Sequence, residues 1–257
     1  MTVVGVQWAV SWEDKTANFN QVRRMLEGAA IPPGSLVVLP EMFSTGFSLR
    51  VDRTRQGEPP EGEEFLVALA RETGSAVLGG VVGGRDGEGK PYNQAVAFAP
   101  DGRLLARYSK IHPFRFGDEA LHYGAGDAVV TFEWGGFQIA PFVCYDLRFP
   151  EIFRSAVDQG ATLFAVIAQW PLGRARHWST LLRARAIENQ SAVVGVNRCG
   201  TDPQLEYPGR TAIVDPQGNT LAEGDDTPRL VQAVLEPGAV AEWRASFPAL
   251  RDRRWPV

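Results

Sequence analysis

Phe137-Gln-Ile-Ala-Pro-Phe-Val-Cys144-Tyr-Asp-Leu-Arg148-Phe-Pro150-Glu151 is the stretch that decides the fold class. An apolar, β-compatible run ends at Cys144, and polar and charged residues follow at once. Pro150 suits the first turn of a helix, where its missing N–H costs nothing. The pattern predicts a strand over 137–143 and a helix over 149–159. A thiol at the carboxyl end of a strand, facing a helix start, stands where open α/β sheets bind ligands. The positive end of a helix and its free N–H groups favour a thiolate there and can hold an oxyanion. Against this stands the reading of Cys144 as a small, inert core residue.

Outward from this stretch, hydrophobic periodicity predicts the remaining elements. Val3–Val10 is a strand. Asp14 caps a helix from Lys15 to about Ala30, whose stripe of Phe19, Val22, Met25, Leu26 and Ala29 belongs to the core. Leu36–Leu39 is a short buried strand, Glu61–Thr73 a helix stopped by Gly74, and Ala76–Val82 a strand. Tyr92–Phe98 and Leu104–Ser109 form a hairpin, as do Val129–Trp134 and Phe137–Val143. After Cys144 come a strand over Thr162–Ala168, an arginine-rich helix over Arg174–Gln190 and a strand over Ala192–Asn197. A hairpin (210–214 with 220–222), a last strand over Arg229–Leu235 and a short helix over Val240–Phe247 complete the chain. Hairpins mixed with strand–helix units predict an α/β sandwich over a purely parallel sheet. No repeat or linker divides the chain, so a single domain over 1–257 is expected.

The chain has 257 residues, 44% hydrophobic and 22% charged, with a net charge of −4. No basic stripe with interleaved aromatics supports nucleic-acid binding. No apolar run reaches the ~20 residues that span a bilayer. Cys144 and Cys199 are the two cysteines, which is no disulfide framework, and a cytoplasmic location is the default expectation. His112, His122 and His177 lack metal-ligand spacing, so no metal is expected. The segment from Gly83 to Lys90 imitates a phosphate loop, but Pro91 replaces the hydroxyl residue and no helix follows. It is read as a hairpin turn. No Gly-x-Ser-x-Gly elbow is present, which sets aside a serine hydrolase.

Glu41, Lys110 and Cys144 each stand just past a predicted strand. If those strands run the same way, the three converge on one rim of the sheet. A cysteine nucleophile needs a base, and a developing oxyanion needs a cation or donors. Glu41 is the candidate base, with Leu39, Met42 and Phe43 as surroundings that raise a carboxyl pKa. Lys110, with the backbone N–H of Tyr145, is the candidate oxyanion holder. The plain alternatives are a solvated loop carboxylate and an exposed strand-end lysine. The loop from Ile111 to Asp127 is long enough to be functional.

The ordered set of motifs resembles the nitrilase superfamily. It comprises Val-Leu-Pro-Glu41-Met-Phe, Tyr108-Ser-Lys110-Ile-His-Pro-Phe, Cys144-Tyr-Asp-Leu-Arg-Phe-Pro-Glu151, Arg183-Ala-Arg-Ala-Ile-Glu-Asn-Gln190, Asn197-Arg-Cys-Gly200 and Asp215-Pro-Gln-Gly218. Phe114-Arg115, Asp118-Glu119, Gln169-Trp170-Pro171 and His177-Trp178 resemble its omega-amidase branch, the bacterial YafV-like group above all. The resemblance implies a four-layer αββα sandwich that assembles as a homodimer. It implies a Glu41–Lys110–Cys144 triad, with Glu119 as a second active-site glutamate orienting the lysine or the substrate amide. It implies hydrolysis, through a thioester and without a cofactor, of the ω-amide of a short 2-oxo dicarboxylic acid such as 2-oxoglutaramate or 2-oxosuccinamate.

A substrate of that kind carries a remote carboxylate, which arginine matches in two-pronged fashion. Arg148 either anchors it or only pairs with Asp146 or Glu151 to hold the turn. Phe47, Trp170 and His177 are candidates to line the pocket; Trp170 is alternatively core or interface, and His177 a helix-face residue. Carbamoyl amino acid hydrolases of the superfamily resemble the nucleophile segment but carry two adjacent arginines, and here Leu147 takes the first place. Amidases acting on deaminated glutathione, carbamoyl amino acids or aliphatic amides remain rival readings, as does a non-catalytic binding protein.

Overall fold

The computed structural model describes residues 1–254. Two six-stranded sheets face each other. The first runs in the order β14 (Arg229–Val234), β1 (Thr2–Gln7), β2 (Leu36–Val38), β3 (Ala76–Gly83), β4 (Tyr92–Phe98) and β5 (Leu104–Ser109). The second runs in the order β13 (Thr220–Glu223), β12 (Ala212–Val214), β9 (Ala192–Asn197), β8 (Leu163–Ala168), β7 (Phe137–Val143) and β6 (Phe132–Trp134). A separate small hairpin pairs β10 (Cys199–Thr201) with β11 (Glu206–Pro208). The helices are α1 (Lys15–Leu26), α2 (Val51–Thr54), α3 (Glu61–Thr73), α4 (Glu119–His122), α5 (Pro150–Asp158), α6 (Ala175–Asn189) and α7 (Pro237–Ser246). No helix among the described residues is long and apolar enough to cross a membrane.

The strand period of two sorts the side chains of the first sheet. Val3, Leu36, Val38, Ala76 and Leu78 point to the second sheet and join the core it shares with α5 and α6. Val4, Val6, Val37 and Val77 point the other way and meet Val22 of α1 and Phe65, Leu66 and Leu69 of α3. The result is helix, sheet, sheet, helix, the layered sandwich that the sequence predicts. β8 is apolar and buried along its whole length, as expected of a strand with parallel neighbours on both sides and cover on both faces; β7 and β9 are those neighbours.

Several boundaries differ from the sequence expectation. β1 ends at Gln7, and Ala9 makes only an isolated bridge to Cys199. α1 stops at Leu26, so Ala29 lies beyond its stripe. The loop from Ile111 to Asp127 contains a 3-10 turn (Arg115–Gly117) and α4, which Glu119 opens. The segment from Gly83 to Lys90 lies in the β3–β4 hairpin, where Asp86 accepts from the backbone of Glu88 and Lys90.

The convergence of Glu41, Lys110 and Cys144 also differs in its origin. β2 and β5 run the same way in the first sheet, because β2–β3 is parallel and two antiparallel steps follow. β7, which leads to Cys144, belongs to the second sheet. The three residues therefore meet across facing sheets, not along one rim.

Gly80 of β3 sets the position of the Glu41 loop. A Cβ there would lie 2.5 Å from Met42 N and 2.6 Å from Glu41 Cα, and backbone at that range cannot rotate away. Gly80 N donates to Pro40 O at 3.1 Å and its carbonyl accepts from Phe43 N at 3.1 Å. Gly80→Ala is expected to cost about 1–3 kcal/mol, the usual penalty of overpacking, and to depress turnover by displacing Glu41. Urea unfolding and kcat measured on one preparation check this; wild-type values for both would refute it.

Candidate active site

Glu41, Lys110 and Glu119 form a cluster closed to solvent, at 0%, 1% and 0% exposure. Lys110 follows β5 directly, and its N–H donates to Asn93 O at 2.9 Å. Its ammonium donates to Glu41 Oε1 at 2.9 Å and to Glu119 Oε2 and Oε1 at 2.8 and 3.1 Å. Asn93 Nδ2 donates to Glu41 Oε1 at 2.7 Å and Glu119 Oε1 at 2.9 Å. The N–H of Phe114 donates to Glu119 Oε2 at 2.6 Å, so the loop after Lys110 is tied to the acid that holds the lysine. Burial alone lowers the Lys110 pKa. The charges of Glu119 and Glu41, with Cys144 adding to them, outweigh it and lift the pKa above the usual lysine range. The two carboxylates therefore favour the charged form of Lys110.

Glu41 is fixed from the second sheet as well. Gln169, the first residue after β8, donates its backbone N–H to Glu41 Oε2 at 2.9 Å and its side-chain Nε2 to Glu41 O at 2.7 Å. The carbonyl of the same Gln169 lies 4.0 Å from Cys144 Sγ. One residue thus touches both candidate base and candidate nucleophile.

Cys144 has φ +48°, a left-handed conformation that is strained for a residue with a Cβ and is found preferentially at functional sites. A 3-10 turn over Cys144–Arg148 follows, and the regular helix starts only at Pro150. Asp146 holds the turn: its carboxylate accepts from Val143 N at 3.2 Å, Tyr108 Oη at 2.8 Å and His112 N at 3.0 Å, and contacts His112 Nδ1 at 2.9 Å. Burial and the charge of Glu41 push the Cys144 thiol well up, and Lys110 only partly opposes them. Both act against the thiolate that the sequence reading favours.

Above the sulfur, a pocket is lined by Glu41, Phe47, Lys110, Phe114, Cys144, Tyr145, Arg148, Gln169, Trp170, Pro171, Arg174, Leu205 and Tyr207. Phe47, Tyr145, Arg148 and Trp170 of the sequence reading are among the lining residues. Glu119 does not reach the pocket and acts on Lys110 from behind. His177 lies outside it, on exposed α6, where Arg148 Nη1 and Nη2 lie 3.3 Å from its Nδ1. The substrate-lining role expected of His177 is corrected accordingly: its position in α6 turns it to the outer side of Arg148. Arg148 does not pair with Asp146 or Glu151. Its guanidinium lies 4.7 Å from the Trp170 ring and 5.8 Å from that of Tyr145.

Phe114 and Gln169 enter the sequence reading only as motif residues, and Asn93, Arg174, Leu205 and Tyr207 escape it. Asn93 leaves a trace, as one of two adjacent polar residues near the start of the strand Tyr92–Phe98. Cys199 is buried in β10, and burial moves its thiol up to about 11; it has no part in the pocket.

A family model described as carbon-nitrogen hydrolase matches residues 2–245. The chain belongs to this family. Omega-amidase YafV of Escherichia coli is 37% identical over 249 residues, 96% of this chain and 94% of that one. 2-Oxoglutaramate amidase of Bacillus subtilis is 33% identical over 254 residues, 98% and 97% of the two chains. The solved structure of XC1258 from Xanthomonas campestris is of a CN-hydrolase superfamily protein with an arsenic adduct in its active site. It aligns with a TM-score of 0.92 at 37% identity and covers 100% of this chain and 98% of that one. Family membership and the buried acid–lysine cluster beside a thiol agree on amide chemistry.

The direction of the Cys144 shift is measurable. The ultraviolet thiolate absorbance of wild type minus Cys144→Ala is expected to be absent near neutral pH and to rise only above the ordinary thiol range. Glu41→Gln removes a charge that raises the thiol pKa and is expected to lower that midpoint. A wild-type thiolate at neutral pH would overturn this account of the site.

Proposed function

We propose that this chain is an omega-amidase that hydrolyses the ω-amide of a short 2-oxo dicarboxylic acid, 2-oxoglutaramate first. The carrying observation is the pocket itself: Cys144 beside Glu41 and Lys110 at its floor, and Arg148 on its wall with no acidic partner among the described residues. The relatives' names supply the substrate, and the pocket's charges suit it.

In the proposed mechanism Glu41 takes the Cys144 proton as sulfur attacks the amide carbon. The ammonium of Lys110 and the N–H of Tyr145 hold the oxyanion, the term that such preorganised donors supply. Glu41 then protonates the leaving nitrogen, and ammonia departs as the C–N bond breaks and a thioester remains. Water, losing its proton to Glu41, attacks the thioester; the carboxylate product leaves and the proton returns to sulfur. One carboxyl group serves as base and acid in turn. Asn93, Glu119 and Gln169 hold that carboxyl group and Lys110 in place. The carboxylate of the substrate lies against Arg148, and Phe47, Tyr145 and Trp170 flank its carbon chain.

A homodimer in the cytoplasm completes the reading. Exposed Phe116, Leu121 and Ile187, at 89%, 69% and 56%, support a surface with a partner, and two free cysteines suit a reducing compartment. A monomer in sedimentation velocity at working concentration would remove the dimer.

Ammonia release from 2-oxoglutaramate is expected for wild type and to fall roughly ten-thousand-fold or more in Cys144→Ala, as for removal of a nucleophile elsewhere. Glutamine, a carbamoyl amino acid and a simple aliphatic amide run beside it. Preference for one of these would keep the thioester chemistry and move the substrate. Turnover retained in Cys144→Ala would overturn the mechanism.

A further inference from the structure

We propose that Arg174 is a second carboxylate-binding residue of this pocket. With Arg148 it makes a two-guanidinium wall that admits the anionic head of a 2-oxo acid amide and turns away the ammonium of an amino acid amide. The proposal rests on the omega-amidase reading and deepens it.

Arg174 closes a 3-10 turn (Leu172–Arg174) just before α6, and its side chain lines the pocket with Cys144. Among the described residues its guanidinium has neither a hydrogen bond nor an acidic group within 4.0 Å. The same holds for Arg148 apart from its contact with neutral-capable His177. This is unlike Arg50, Arg107, Arg185 and Arg229, each of which meets a carboxylate. The one acid that lines the pocket, Glu41, is already held by Lys110. Two cations thus share a pocket wall with no anion between them. The charge of Arg174 adds to burial in lowering the Arg148 pKa, and Tyr145 opposes them. A bound carboxylate relieves this repulsion.

Both guanidiniums are shelved on aromatic rings. Arg174 lies 5.5 Å from the Phe114 ring and Arg148 4.7 Å from the Trp170 ring. A cation–π contact holds each guanidinium beside its ring without using its N–H groups, which are left for an acceptor. The shelves are linked, because Trp170 Nε1 donates to Arg174 O at 2.8 Å. The ring that carries one arginine is therefore pinned to the backbone of the other. A 2-oxo acid offers the wall a carboxylate and a neighbouring keto oxygen, all acceptors. Glutamine offers an ammonium in place of the keto oxygen, and like charges across a contact are strongly discriminated.

The test compares kcat and KM for 2-oxoglutaramate, succinamate, glutamine and butyramide in wild type, Arg174→Gln and Arg174→Lys. The ratio of kcat/KM for 2-oxoglutaramate over butyramide is expected to fall roughly 10–100-fold in Arg174→Gln, the usual size of a charged hydrogen bond, and mainly through KM. The preference for 2-oxoglutaramate over glutamine is expected to narrow in Arg174→Gln and to return in part in Arg174→Lys, which restores charge without the fork. Equal losses on all four amides would make Arg174 a structural residue and overturn the proposal, as would no loss at all. A wild type that prefers succinamate, with the same loss in Arg174→Gln, would overturn the 2-oxo assignment and keep the two-arginine wall. A wild type that turns over butyramide alone would overturn both.

Discussion

The ammonium of Lys110, buried between the carboxylates of Glu41 and Glu119, is the interaction on which the rest depends. A lone cation at that depth would cost several kcal/mol, and removal of one partner from such a pair typically costs 3–5 kcal/mol. The cluster contains one cation and two acids, bridged by the amide of Asn93. Its surplus is negative. Burial, with that surplus, pushes the neighbouring thiol toward its protonated form, which is why the proposed mechanism gives it a base. The same lysine stands ready for negative charge that appears on the substrate. The cluster thus disfavours a charged nucleophile at rest and favours a charged intermediate, the differential binding from which catalysis comes.

The cluster would be useless if the sheets could slide. Glu41 and Lys110 follow strands of the first sheet, and Cys144 follows a strand of the second. Their separation is therefore set by the shared core, where Val3, Val38 and Leu78 join Val143, Ile167 and Val196 in one apolar cluster. Interiors of that kind are close-packed and resist deformation. Gln169 locks the seam locally, since it leaves β8 of the second sheet and spends both its backbone N–H and its side-chain amide on Glu41. Gly80 performs the matching task in the first sheet by letting the Glu41 backbone lie directly against β3.

Residues that follow strands were legible in the sequence because an apolar run ending in one reactive side chain is a local pattern. Glu41, Lys110 and Cys144 all have it. Their meeting across two sheets was not legible, since nothing local distinguishes two strands of one sheet from strands of two. The helix start at Pro150 is legible because proline carries that signal; the 3-10 turn over Cys144–Arg148 before it is not, since it depends on the side chain of Asp146 taking the Val143 N–H. Of the two readings open for Arg148, the pairing with a nearby acid rests on sequence distance alone, and Asp146 is consumed by Tyr108, Val143 and His112. Tyr207 and Leu205 come from the β10–β11 hairpin, whose three-residue strands are too short for a periodic signal.

The pocket is electrically two-ended, and this decides how a substrate must lie. At the floor are Lys110 and the carboxylate of Glu41; at the wall are Arg148 and Arg174, with no acid between them among the described residues. An amide bearing a remote carboxylate has two poses. With the carboxylate at the floor, it faces Glu41, and Lys110 is already shared by Glu41 and Glu119. With the carboxylate at the wall, it meets two unpaired guanidiniums, and the uncharged amide comes to the sulfur. On the proposed reading the carboxylate is a handle that turns the reacting carbon toward Cys144, because opposite charge at the wall attracts it and the Glu41 carboxylate repels it.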